Sequence, residues 1–222
     1  MVRIAARHVP ELLVVMGRSL RDSYDVESLL RGEELSSVGA MAAQVAVLEG
    51  LDEGRALLRD RPRLSSATVD LDALRSLPAG TLGREWTDHL ARNGLDVDAL
   101  TVPVRAGATD VENWLLERVR QTHDIWHTLL GLGTAPHEEV LVHAFQWPQL
   151  HMPYSWLVMA FGTPKHFVLE RRWTDLRRRL PAALRAGRRA RPLLPVYWER
   201  HWSRPIDAVR AELGVDPAAA WV

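Results

Sequence analysis

His123, Asp124 and His127 lie within five residues of one another, and Glu139 follows twelve positions after His127. At about 100° of turn per helical residue, His123 and His127 fall one turn apart on the same face. Asp124 is one step round from His123 and three positions before His127, so it can lean into the same space. Two imidazoles and two carboxylates make a mixed nitrogen and oxygen donor set, the kind that holds zinc or another first-row divalent ion. The chain has no cysteine, which removes thiolate ligands, cysteine nucleophiles and disulfides together. Any metal must be held by His, Asp and Glu.

A His-x-x-x-His pair is weak by itself, because nine histidines in 222 residues give chance pairs at this spacing. The adjacent Asp and the Glu beyond a Gly-bounded turn strengthen it. A ligating imidazole wants a carboxylate nearby, either on the metal or orienting its other ring nitrogen. Spacing alone does not choose between Glu138 and Glu139, and His137 stands beside both. The zinc-protease pattern His-Glu-x-x-His is close but unmet. Asp124 occupies its Glu position, one methylene shorter and less able to act as base on a water in front of the metal. The His-Asp phosphohydrolase pattern lacks two further distant ligands.

The elements that must position these residues read as helices almost throughout. Thr109-Asp110 can cap a long helix from about Val111 to Leu130 that carries the cluster, and Gly131-Leu132-Gly133 ends it. Thr134-Ala135-Pro136 opens the next helix, so a helix-loop-helix folds Glu139 back towards the histidines. Further helices are predicted over 10–21, 25–30, 38–49, 53–59, 70–77, 84–93, 153–161, 165–187 and 205–213. No run alternates apolar and polar residues as a half-buried strand would. Without a repeat or a linker, residues 1–222 read as one all-α domain with a metal site on a helix-loop-helix.

Apolar residues at 47% and charged residues at 25% describe a globular chain, and a formal net charge of zero argues against nucleic-acid binding. The N-terminus has no signal-peptide core, and no uncharged stretch reaches the roughly 20 residues of a membrane span. The expected location is cytoplasmic, with any membrane contact peripheral and on the inner face. Lys165 to Arg191 holds nine arginines and one lysine against Glu170 and Asp175. With Phe167, Trp173, Leu176 and Leu180 on its other side, such a helix could sit on anionic headgroups, although charge runs usually mark a solvated face. Nine tryptophans are many for this length. Trp147, Trp156 and Trp173 lie where an apolar ligand would enter, but a helical core needs the same residues. The oligomeric state is open, a homodimer included.

The chain resembles the ubiquinone (coenzyme Q) biosynthesis protein Coq-four family. The family signature is His-Asp-x-x-His, eleven residues, then Glu; here it is His123-Asp124-Ile125-Trp126-His127 and Glu139. The resemblance selects Glu139 over Glu138. Similarity extends through 120–132, through Leu77-Pro78-Ala79-Gly80-Thr81-Leu82-Gly83-Arg84-Glu85-Trp86, and through Val196-Tyr197-Trp198-Glu199-Arg200-His201-Trp202. It covers most of the chain from about residue 50. It implies an all-α fold and a divalent metal, usually zinc, on His123, Asp124, His127 and Glu139. It also implies a reaction at the head-group carbon of a prenylated hydroxybenzoate, whose carboxylate is lost and replaced by hydroxyl, making the protein a decarboxylase of the lyase type. Isoprenoid-lipid binding and contact with other quinone-pathway proteins at a membrane are implied as well. A non-catalytic lipid-binding scaffold and an enzyme of a separate small-molecule pathway are the alternatives.

Asp124 would serve as proton acceptor if it stood outside the metal's own ligands. Past Glu139 the chain departs from the family pattern: His143 stands at its Lys, Gln146 at an acidic position, and Leu150-His151 at Thr-Gly. If this helix lines the substrate channel, the pocket is bulkier and its charge altered. His143, one turn after Glu139, is an acid/base candidate because imidazole titrates near neutral pH. His151 is a weaker one, and a lone His is more often structural.

Overall fold

The structure, a computed structural model, describes residue 4 and residues 6–22, 25–163 and 173–221. Among them there is no strand; Thr81 and Pro205 form one isolated antiparallel bridge. The fold is all-α, as the sequence patterning implies.

The most deeply buried helix is α7 (Asp110–Leu130). Thr109 Oγ1 accepts from the Glu112 amide, and Glu112 reaches back to the Ala108 amide, a reciprocal cap that fixes its start. Gly131, at φ 65°, ends it, and the Leu132 amide closes onto the His127 carbonyl. Trp114, Leu115, Leu116, Ile125, Trp126 and Leu129 are all buried on this helix. So are Arg118 and Arg120, which a solvent-facing helix would leave in water. Arg118 meets Glu199 through two hydrogen bonds of 2.6 and 2.8 Å. Arg120 donates to Glu33 at 2.7 Å and to the carbonyls of Leu30 and Val102. Each buried guanidinium is thus paired with a carboxylate, although Arg118 Nε finds no partner among the described residues.

Around α7 pack α2 (Val26–Ser37), α3 (Met41–Glu49), α6 (Leu82–Asn93) and α8 (Pro136–Leu150). The first is longer than the predicted 25–30. Its second half is polar in sequence but buried in the fold, because Glu33 serves Arg120 and Glu34 accepts from the amides of Arg105 and Ala106. α6 begins two residues before the predicted Arg84, since the amides of Leu82 and Gly83 bond to the carbonyls of Arg204 and Trp202. Trp86 stacks on Trp202 with centroids 5.0 Å apart, so the C-terminal segment closes over this end of α6.

α8 starts with Pro136 in its first turn, where a missing N–H costs nothing. It continues through Pro148 to Leu150. His151 then terminates it in the left-handed conformation, φ 51°. The next helical stretch, Pro153–Leu157, runs into a π-turn at Val158–Gly162 within the predicted 153–161. α10 (Trp173–Arg189) packs along α8, burying Leu176, Ala183 and Ala186. The two approach so closely at Gly187 that a Cβ there would collide with the Phe145 carbonyl. Gln149 bonds the carbonyls of Gly187 and Ala190 and the amide of Leu193, capping this helix. Leu176 is thus committed to the core, Leu180 packs against it, and Arg177, Arg178, Arg185, Arg188 and Arg189 face solvent. Residues 165–172 of the basic stretch, Phe167 included, lie outside the described residues, as does the side chain of Trp173.

Candidate metal centre

His123 and His127 project from consecutive turns of α7, and Glu139 from the first turn of α8 returns to meet them. His127 Nε2 lies 3.1 Å from His123 Nε2 and 3.3 Å from Glu139 Oε1, and His123 Nε2 lies 3.2 Å from Glu139 Oε2. Two imidazole nitrogens and a carboxylate thus converge on one point. Metal bonds of about 2.0–2.1 Å in a tetrahedron imply ligand-to-ligand edges of about 3.3–3.4 Å, close to the spacing found. The three side chains could hold a metal ion.

The far side of His127 supports this reading. Its Nδ1–H donates to the Gly133 carbonyl at 2.9 Å, and a carbonyl can only accept, so the tautomer that leaves Nε2 free to bind metal is fixed. The Gly133 amide in turn donates to Glu138 Oε1 at 3.1 Å. A Cβ on Gly133 would crowd Glu138 Oε2 at 2.8 Å, so the close approach needs glycine. Glu138 is therefore occupied with the loop, and Glu139 is the carboxylate left for the centre.

Asp124 lies beside the cluster on the same cavity wall but outside the convergent set of donor atoms. Burial raises its pKa against the opposing pull of His123 and His127. The proposed four-residue set is thus brought together as three ligands and one neighbour. Without an ion, burial opposes charge on His127, but Glu139, Asp124 and the Gly133 carbonyl outweigh it and hold its pKa at about 9. Glu139 is partly buried, which pushes its pKa up, yet the two histidines hold it well below the ordinary carboxylate range.

His143 is also at the site. Its ring centroid is 5.7 Å from that of His123, and its Nδ1 is 3.2 Å from Ser155 Oγ. Burial, with help from the charge on His123, pushes its pKa down to about 3. His143 therefore stays neutral through the physiological range, where the sequence suggested a group titrating near pH 7. His151, by contrast, is exposed at the end of α8 against Trp147.

Two residues with no sequence signal pack against this histidine cluster. His89, on α6, stacks on His127 with centroids 5.6 Å apart. Asn93 donates to His89 Nδ1 and to its carbonyl, so the buried Nε2 carries the proton and finds no partner among the described residues. Burial and the neighbouring His127 lower the His89 pKa to about 4. Tyr154 packs edge-on against His143 with centroids 5.5 Å apart.

The cluster closes one part of a cavity of about 440 Å³, lined largely by apolar residues such as Leu29, Leu30, Val119, Val140, Leu157 and Val158. Val26 and Phe161, 47% and 45% exposed, also line it and reach solvent. Trp156 is exposed, whereas Trp147 is not among the lining residues.

The profile of the family described as coenzyme Q (ubiquinone) biosynthesis protein Coq4 matches residues 9–219. The chain belongs to the Coq4 family. A Coprinopsis cinerea protein named ubiquinone biosynthesis protein COQ4, mitochondrial, is 31% identical over 199 residues, covering 86% of this chain and 68% of the relative. The rat homologue of that name is 37% identical over 165 residues, 74% of this chain and 62% of the relative. The Xenopus tropicalis homologue is 31% identical over 220 residues, 96% and 76%. This chain thus spans about two thirds of the length of several curated Coq4 relatives. A crystal structure from Nostoc punctiforme PCC 73102, whose description places it provisionally in ubiquinone biosynthesis, superposes with a TM-score of 0.71. It is 22% identical and the match covers 92% of this chain and 97% of that one, a likeness of fold. The curated relatives are named mitochondrial, not cytoplasmic, and among the described residues no helix is long and apolar enough to cross a membrane.

Proposed function

We propose that this Coq4-family protein is a metal-dependent enzyme of the quinone-biosynthesis type that removes the carboxylate of a prenylated hydroxybenzoate, with hydroxyl entering in its place. The observation that carries the reading is the convergence of His123, His127 and Glu139, which could hold a metal ion, beside a largely apolar cavity of about 440 Å³. Such a cavity suits an aromatic head attached to an isoprenoid chain, with few polar groups to fix orientation. His123, His127 and Glu139 would hold the ion, zinc by donor type, and Asp124 is either its fourth ligand or its neighbour.

A bound divalent ion supplies an electrophile that draws charge from the ring as the carboxylate leaves. Asp124, its pKa raised by burial, is suited to act as a proton acceptor beside the reacting carbon. His143, held neutral, contributes a hydrogen bond to the ligand and not a titrating charge. The apolar walls exclude water from the reacting ring. Peripheral contact with a lipid surface and with other quinone-pathway proteins belongs to the same proposal, since a prenylated substrate is delivered from lipid.

Replacing a carboxylate by hydroxyl is a two-electron oxidation, so the test supplies dioxygen as well as substrate. Metal content is measured on the purified protein, and carbon dioxide release from 3-geranyl-4-hydroxybenzoate is followed. About one zinc per chain and turnover that Asp124→Asn abolishes without losing zinc are expected. Asp124→Asn with full zinc and full turnover refutes the role given to Asp124. Zinc-loaded protein that binds the compound without turnover makes it a lipid-binding scaffold instead.

A further inference from the structure

Most polar groups that line the cavity are already engaged. Arg120 uses all three guanidinium nitrogens on Glu33 and two backbone carbonyls. Ser19 donates to the Val15 carbonyl, and Asn93 is held between His89 and Thr134. Tyr154 differs. It lines the cavity, is 6% exposed, and its ring is fixed edge-on against His143. Its backbone amide is anchored by Ser37 Oγ at 3.0 Å, which sets the side chain's position. Its hydroxyl feels Glu33, Glu139 and Arg120 but makes no hydrogen bond among the described residues.

The rings of His123, His143 and Tyr154 form a continuous wall in steps of 5.7 and 5.5 Å from the metal cluster outward. An aromatic ring lying along that wall, with its carboxylate at the cluster, brings a ring oxygen on its far side towards Tyr154. We infer that Tyr154 is a specificity-determining residue whose phenol donates a hydrogen bond to a ring hydroxyl or other ring oxygen of the substrate, on the side away from the metal cluster. This rests on the prenylated-hydroxybenzoate reading and names the substituent that the pocket reads. Burial and the nearby carboxylates raise the Tyr154 pKa, which keeps the phenol protonated as a donor. A buried, unpaired donor that meets its acceptor only in the complex discriminates strongly against a ligand that lacks the acceptor.

The test compares two probes on zinc-loaded protein by calorimetry: 3-geranyl-4-hydroxybenzoate and 3-geranylbenzoate, which lacks only the ring hydroxyl. Wild type should favour the hydroxylated probe about tenfold, the fold-change of one net hydrogen bond. Tyr154→Phe keeps the ring against His143 and should erase that preference by weakening the hydroxylated probe alone. A variant that keeps the preference, or that loses both probes alike, overturns the inference. Wild type that binds both probes equally overturns it while leaving the prenylated-aromatic reading standing. Wild type that binds neither overturns both.

Discussion

A sharp consequence of the metal-centre geometry is that the ion must displace a proton from His127. In the metal-free protein, His127 is a buried imidazolium with a pKa of about 9, held there by Glu139, Asp124 and the Gly133 carbonyl against the pull of burial. At pH 8 such a group is about 0.9 protonated, whereas an imidazole with the ordinary value near 6.5 would be about 0.03 protonated. Zinc requires the free Nε2 lone pair, so binding at pH 8 should release about 0.9 proton from His127. Zinc affinity should accordingly rise about tenfold per pH unit towards pH 9, where an unperturbed histidine would level off near 6.5.

Two measurements check this. NMR titration of the metal-free protein should place the His127 imidazole midpoint near 9, and calorimetry in two buffers of different ionisation enthalpy should count the protons. The stability of the metal-free protein has its own pH dependence. A folded-state pKa above the unfolded value stabilises fully below about 6.5 and loses that contribution as pH rises through about 9. Chelator-treated protein should therefore melt progressively lower across this window, while zinc-loaded protein gains relative to it. A His127 midpoint at or below 6.5 refutes the account of how Glu139 and Gly133 hold this ring.

Glu138→Ala should leave the fold intact but weaken zinc about 10–100-fold in a chelator competition, because it releases the Gly133 segment that orients His127. Gly187→Ala drives a methyl into the Phe145 carbonyl, and urea unfolding should show a loss of about 1–3 kcal/mol. His151→Gly relieves a left-handed non-glycine residue at an exposed helix end, and should gain about 1 kcal/mol, raising Tm by about 2–4 °C.

What was legible in the sequence was whatever local rules decide. α7 could be bounded because Thr109 caps it and Gly131 stops it, and its histidine spacing survives folding because a helix fixes one-turn geometry. The second half of α2 is not legible in the sequence, since Glu33, Glu34, Ser36 and Ser37 carry no local apolar signal. They are buried because partners far along the chain need them, Arg120 being 87 residues from Glu33. His89 and Tyr154 reach the site from α6 and from the segment after α8, and no periodicity announces such a meeting. His143 shows a related limit: spacing places it beside Glu139, but only packing shows that it is enclosed, which lowers its pKa. His151 ends α8 in the left-handed conformation that glycine adopts without strain, a backbone demand that spacing alone does not announce.

The neighbouring carboxylates show how a sequence ambiguity becomes a division of labour. Glu138 and Glu139 both lie in the first turn of α8, where the helix dipole favours negative charge. Adjacent positions point about 100° apart, so they cannot both face the same space. Glu138 turns back to the Gly133 amide, and the Gly133 carbonyl receives the proton of His127 Nδ1. Glu139 turns towards Nε2 of the same imidazole. One carboxylate thus orients the ring from behind through a single residue, Gly133, while the other stands on its ligand face. The link holds only for a loop of this length, because one inserted residue between Gly131 and Pro136 changes where both carboxylates arrive. The convergence of His123, His127 and Glu139 is therefore encoded by the loop as much as by the residues themselves.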